Sequence, residues 1–161
     1  MSWFPWLLWL HIFGAIVAFG PIFAFPLIRR LGARDPAHAN FGLRVAAAIN
    51  HGITLPLAVV QGITGLGLLI VSGRDLTFSG NYWLDVAIVL YLTALAFSYF
   101  VQAKRVAIVI ELTATPPPAG GAPAGPPAAL VAAGRAAGQG GTFLTVLITA
   151  IIFLMVVKPG S

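Results

Sequence analysis

His11, His51 and Asp85 are ionisable side chains set within long apolar runs. A charge in hydrocarbon is costly, so each is a candidate for function. The His11 imidazole, in Trp9-Leu10-His11-Ile12, has the chemistry to ligate a haem iron or another metal, or to relay a proton. It serves equally as a neutral ring hydrogen-bonded to a neighbouring helix. His51 lies in a small, polar setting, Asn50-His51-Gly52. It reads as an interfacial histidine facing water or head groups, with metal ligation the alternative. Asp85 follows Tyr82-Trp83-Leu84. By pairing with His11 it would lower the cost of both and orient a ligating imidazole. Otherwise it stays among head groups as an acidic residue favoured at a helix N-terminus.

Depth separates the two histidines. At 1.5 Å of rise per residue, His11 sits roughly 8–10 Å below one membrane surface and His51 roughly 20–30 Å below the same surface. One iron ligated by both is therefore not expected. His38 falls in a polar connection and is expected to be solvated. Gln61, Thr64, Tyr91, Thr93, Ser98 and Tyr99 are mid-membrane polar groups of the kind that bond across helices. Glu111 and Arg135 are expected to pair. There is no cysteine, which excludes disulfides and thiolate chemistry. Phosphate loops, His-Glu-x-x-His and nucleophile elbows are also missing. Four acidic residues in all argue against a cage for a hard cation.

The elements that must position these groups are apolar. Of 161 residues, 59% are hydrophobic and 8% charged, against about 25% charged in an average soluble domain. A span needs about 20 apolar residues. Four runs qualify, and the sequence predicts an all-α four-transmembrane-helix bundle, one membrane domain over 1–161. The helices are expected at about 3–28, 36–72, 82–111 and 128–158, with a Pro/Gly/Ala-rich linker over 113–127. Pro21, Pro26 and Pro56 should kink or bend their helices. Asp35-Pro36 reads as a helix start, Asp at the cap and Pro at the first position. Gly62, Gly65 and Gly67 provide the small-residue spacing that lets helices approach closely in lipid. The first helix lacks a basic lead-in and opens on Trp3, Trp6 and Trp9, so it is expected to be retained rather than cleaved.

The net charge of +5 is explained by topology rather than nucleic acid. Arg29, Arg30, Arg34 and Arg44 follow helix one; Lys104, Arg105 and Arg135 follow helix three. The other side holds Arg74 and Lys158. The positive-inside rule puts the first two groups in the cytoplasm and both termini outside, in a bacterial inner membrane. The expected partners are the lipid bilayer and other membrane subunits.

Several short motifs carry a resemblance over most of the chain. Trp9-Leu10-His11 with basic residues closing the helix, Gly62-Ile63-Thr64-Gly65-Leu66, Tyr82-Trp83-Leu84 and the ending Phe153-Leu154-Met155-Val156-Val157-Lys158-Pro159 resemble a bacterial family of four-helix predicted integral membrane proteins, a domain of unknown function. The layout is also distantly similar to copper-resistance D-type proteins and to the membrane protoporphyrinogen oxidase. The latter resemblance implies a haem-binding role for His11. It also implies a lysine early in helix three, where Val86, Ala87 and Ile88 stand instead. For copper, Met1 and Met155 are the only thioethers. The leading reading is an accessory or subunit-type protein of a membrane assembly, more a non-enzyme than an enzyme. One alternative is a haem b redox protein using His11, with Asp85 behind it. Another is a small transporter or channel.

Overall fold

The computed structural model describes residues 3–73, 82–114 and 125–159. Four helices are long and apolar enough to cross a membrane: α1 (Phe4–Arg34), α2 (Ala37–Ser72), α3 (Tyr82–Leu112) and α4 (Ala128–Val157). The described residues contain no strand. At 1.5 Å per residue, 30 residues reach about 45 Å, more than the ~30 Å of hydrocarbon. The helix ends therefore project into the head groups. The connection with Arg74 and Asp75, and most of the Pro/Gly/Ala-rich linker, lie outside the described residues.

Consecutive helices pack antiparallel. Leu55–Ser72 of α2 lies along the first half of α1, and α4 lies along both halves of α3. At the arginine-rich end, Pro36–Ile49 packs on Phe25–Arg34 of α1 and on Ala103–Leu112 of α3. The interior is thin and built largely from small side chains. Ala18, Phe19, Ile22, Ala58 and Ile148 meet where α1, α2 and α4 converge. Ala94, Leu144 and Leu147 join α3 to α4. Trp6, Ile16, Ile63, Leu92 and Val156 point outward and are exposed. In lipid such exposure costs nothing. Helix association then depends on close packing and interhelical hydrogen bonds rather than on apolar burial.

Three of the four helices depart from α geometry near the same level. In α1 a 3₁₀ turn, Gly20–Phe23, joins Phe4–Phe19 to Phe25–Arg34. Pro21 and Pro26 cause it, because neither can donate an amide and each ring crowds the carbonyl four residues back. Pro26 then opens a further helical segment that carries α1 past the double arginine to Arg34. In α2 a π turn, Asn50–Thr54, falls immediately before Leu55-Pro56 and relieves the same crowding. In α3 a second π turn, Ser98–Gln102, occurs without any proline.

Asp35 stands at the N-cap of Pro36–Ile49 with Pro36 at the first position, as expected. Its Oδ2 also meets His38 Nδ1 at 2.7 Å. One local expectation is corrected. Glu111 does not pair with Arg135; the ion pair among the described residues is Asp35–His38.

Candidate functional site

His11 is held by α2. Its Nδ1 lies 2.9 Å from Thr64 Oγ1. The Thr64 hydroxyl sends its own proton to the Val60 and Gln61 carbonyls, each at 3.1 Å. It therefore accepts from His11, so Nδ1 carries the imidazole proton and Nε2 keeps its lone pair. Thr64 and the neighbouring Gln61 are both buried. Gln61 Oε1 has no hydrogen-bond partner among the described residues. The His11 ring fits because Gly65 is bare beneath it: a methyl there would stand 3.2 Å from His11 Cε1.

The same device recurs. Tyr91 of α3 donates from its hydroxyl to the Ala58 carbonyl of α2 at 2.8 Å. It passes over Gly62, where a methyl would come within 2.6 Å of the hydroxyl oxygen. Gln61 occupies space left by Gly14 of α1, and Leu7 packs over Gly67. The glycine spacing of α2 thus seats polar and aromatic side chains from other helices, as well as bringing backbones close.

The remaining sequence candidates are not gathered around His11. Asp85 forms neither a hydrogen bond nor an ion pair with it. Asp85 opens α3, whose first half packs on α4, and its Oδ2 is buried with no hydrogen-bond partner among the described residues. Lys158 Nζ lies 5.8 Å from the centre of the nearby Trp83 ring. His51 is exposed. It lies roughly 20 Å further along the α2 axis than Thr64, at 1.5 Å per residue, so the two histidines do not converge. Among the described residues no cluster of three or more His, Asp or Glu has metal-binding geometry.

A concavity shared by all four helices lies elsewhere, at the level of the three helix irregularities. A chamber of about 320 Å³ opens between all four helices. This falls within the range of small-molecule sites, about 300–1,000 Å³. Its walls are mainly apolar, with Phe19, Ile22, Leu95, Leu144 and Ile148 among them. The π turn of α2 contributes Asn50, His51 and Thr54; the π turn of α3 contributes Ser98 and Gln102. Thr54 is 4% exposed and Ser98 9%, so these polar groups face inward. Thr54 Oγ1 and Gln102 Oε1 are buried without a hydrogen-bond partner among the described residues. Such groups normally find one, and an unmet group at a cavity wall marks a place for a ligand atom or water. Arg29 stands at the edge, and no carboxylate lines the wall. His11 is not among the lining residues.

A family model described as Predicted integral membrane protein (DUF2269) matches residues 5–159. The chain belongs to this family. The match runs from the first turn of α1 to the Lys158-Pro159 stop, so the DUF2269 unit includes the whole bundle and every lining residue of the chamber. Comparison with curated proteins gives no match, and neither does comparison with solved structures. The protein is thus an integral, multi-pass membrane protein of the DUF2269 family, whose function is unknown.

Sequence reasoning missed Thr54, Gln102 and Arg29 as site residues. Pro56 was the available signal for the first, because a proline in mid-helix forces the preceding turn open. No comparable signal exists for Gln102, since Ser98–Gln102 contains no helix breaker.

Proposed function

We propose that this protein is a non-catalytic, accessory-type subunit of a bacterial inner-membrane assembly, and that its four helices hold the apolar part of a ligand. One observation carries the reading. The chamber coincides with three breaks in helix geometry, and two of those breaks present unmet polar atoms to it. π turns cost helix regularity and are frequent at functional sites. His11 is held by an interhelical contact with Thr64, and in the chamber wall Tyr91 is held by a bond to the Ala58 carbonyl, which favours a holding role over catalysis. The arginine-rich end faces the cytoplasm, with both termini outside.

The test is extraction of the protein from native membranes in mild detergent. A stable complex with other membrane proteins is expected, together with a solvent-extractable compound. Ala94→Phe, which fills the chamber, should abolish retention of that compound. Purification of the chain alone, carrying no compound above the Ala94→Phe level, would overturn the reading.

A second reading is haem ligation by His11. It is favoured by the Thr64 bond, which fixes the tautomer and leaves Nε2 free for a metal. A Soret band lost on His11→Ala and kept on His51→Ala would support it. Colourless protein after expression with adequate haem would remove it.

A further inference from the structure

Arg29 belongs to two concavities at once. On one side it helps to line the chamber. On the other it forms an open niche with Arg135, Gln139, Gly138 and Thr142 of α4. Gly138 and Thr142 also line both, so the niche and the chamber meet between α1 and α4. The Arg29 guanidinium lies against Gly138, where any side chain would displace it. Glycine therefore keeps the junction open.

The niche holds two guanidinium groups and no carboxylate. Neither arginine is ion-paired among the described residues, since Glu111 lies out of reach and Asp35 engages His38. The Gln102 amide sits at nearly the same level. It faces Gly140, which lies roughly 3 Å from Gly138 along the α4 axis but about 200° around it. Its Nε2 donates to the Ala137 carbonyl at 2.9 Å. Its Oε1 lacks a donor. One end of the joined cavity thus offers two permanent positive charges, while the rest is mainly apolar. A cation finds nothing to neutralise it there. A basic pocket between helices at a membrane surface suits the phosphate of a lipid, which guanidinium groups bind by paired charge-assisted hydrogen bonds.

We propose that the ligand of the chamber is an anionic phospholipid. Its phosphate lies between Arg29 and Arg135, and an acyl chain passes over Gly138 into the chamber. This rests on the chamber reading above and adds the identity of the occupant.

The experiment is native mass spectrometry of the full chain, titrated in detergent with phosphatidylglycerol, phosphatidylcholine, oleate or inorganic phosphate. Phosphatidylglycerol should be retained in preference to phosphatidylcholine by roughly thirtyfold, the factor expected of two basic contacts at a membrane surface. Arg29→Gln with Arg135→Gln should abolish that preference, whereas Arg29→Lys with Arg135→Lys should keep most of it. Circular dichroism confirms that each variant is folded. Millimolar phosphate should not displace the lipid, and Ala94→Phe should weaken retention of both lipids. Equal retention of the two lipids by the native chain, a preference surviving the glutamine pair, displacement by phosphate alone, or tighter retention of oleate would each overturn the proposal. In those cases sensitivity to Ala94→Phe would leave the chamber standing. Insensitivity to Ala94→Phe would remove both.

Discussion

A bare glycine under a polar side chain is the recurring unit of this interior. Gly65 sits under His11, Gly62 under Tyr91 and Gly14 beside Gln61. The arrangement makes substitutions at glycines unequal. At Gly62 an added methyl meets the hydroxyl and also the ring carbon bearing it, at 2.6 and 3.1 Å. Tyr91 must move and give up its bond to the Ala58 carbonyl. Gly62→Ala should therefore destabilise by about 1–3 kcal/mol, read from unfolding in mixed detergent micelles. Gly134 has nothing within 4 Å, so Gly134→Ala should be neutral or stabilise by up to about 1 kcal/mol through helix propensity. Thr64→Val keeps the shape and removes the acceptor for His11. It should cost about 0.6–1.7 kcal/mol, the scale of interhelical hydrogen bonds in membranes. A Thr64→Val protein as stable as the parent would show that His11 is held by something else. The candidates themselves were legible at this scale, because an ionisable residue in an apolar run is conspicuous. Their partners were not. Which of Gln61, Thr64 or Asp85 faces His11 depends on helix neighbours and rotation, and the short apolar motifs specify neither.

At the scale of the elements, α1 and α2 run antiparallel with Leu7 over Gly67. The chain has no cysteine, so introduced thiols report cleanly. Leu7→Cys with Gly67→Cys should be joined by a short bifunctional reagent in native membranes. Leu7→Cys with Val109→Cys, near opposite ends of the bundle, should not be. The turn between α1 and α2 carries a pH dependence. The His38 hydrogen bond, with its charge, holds the Asp35 carboxyl below the usual carboxylate range. A depressed folded-state pKa favours the fold above the unfolded carboxylate pKa, and the benefit fades as pH falls through the lowered value. His38→Ala should move the Asp35 titration upward, measured by carboxyl carbon NMR. An unchanged midpoint would show that the pair does not form in solution. Here too the reading from sequence was partial. Asp35-Pro36 marks the helix start, but no signal in the sequence announces that the exposed His38 imidazole also bonds the carboxylate.

For the whole molecule, the number and class of the helices were readable because lipid imposes length and apolarity on each span. The chamber was not readable, since it arises from three separate departures from regular helix at one level. Proline announces two of them, and the third has no mark in the sequence. Membership in the bilayer predicts resistance to carbonate extraction, checked by fractionation; release into the aqueous phase would contradict the fold's outward apolar surface. The wide turns carry a further consequence. A π turn inserts one residue into a helix, and each residue advances the helical phase by about 100°. The stretches of α2 and α3 beyond Asn50–Thr54 and Ser98–Gln102 are thus out of step with those before them. Deleting a single residue from either turn would rotate one stretch relative to the other and carry its inward residues towards lipid, leaving the His11–Thr64 tier intact. The bundle is in effect two stacked storeys, with a swivel in α2 and α3 between them and the unbroken α4 as the post that ties them together.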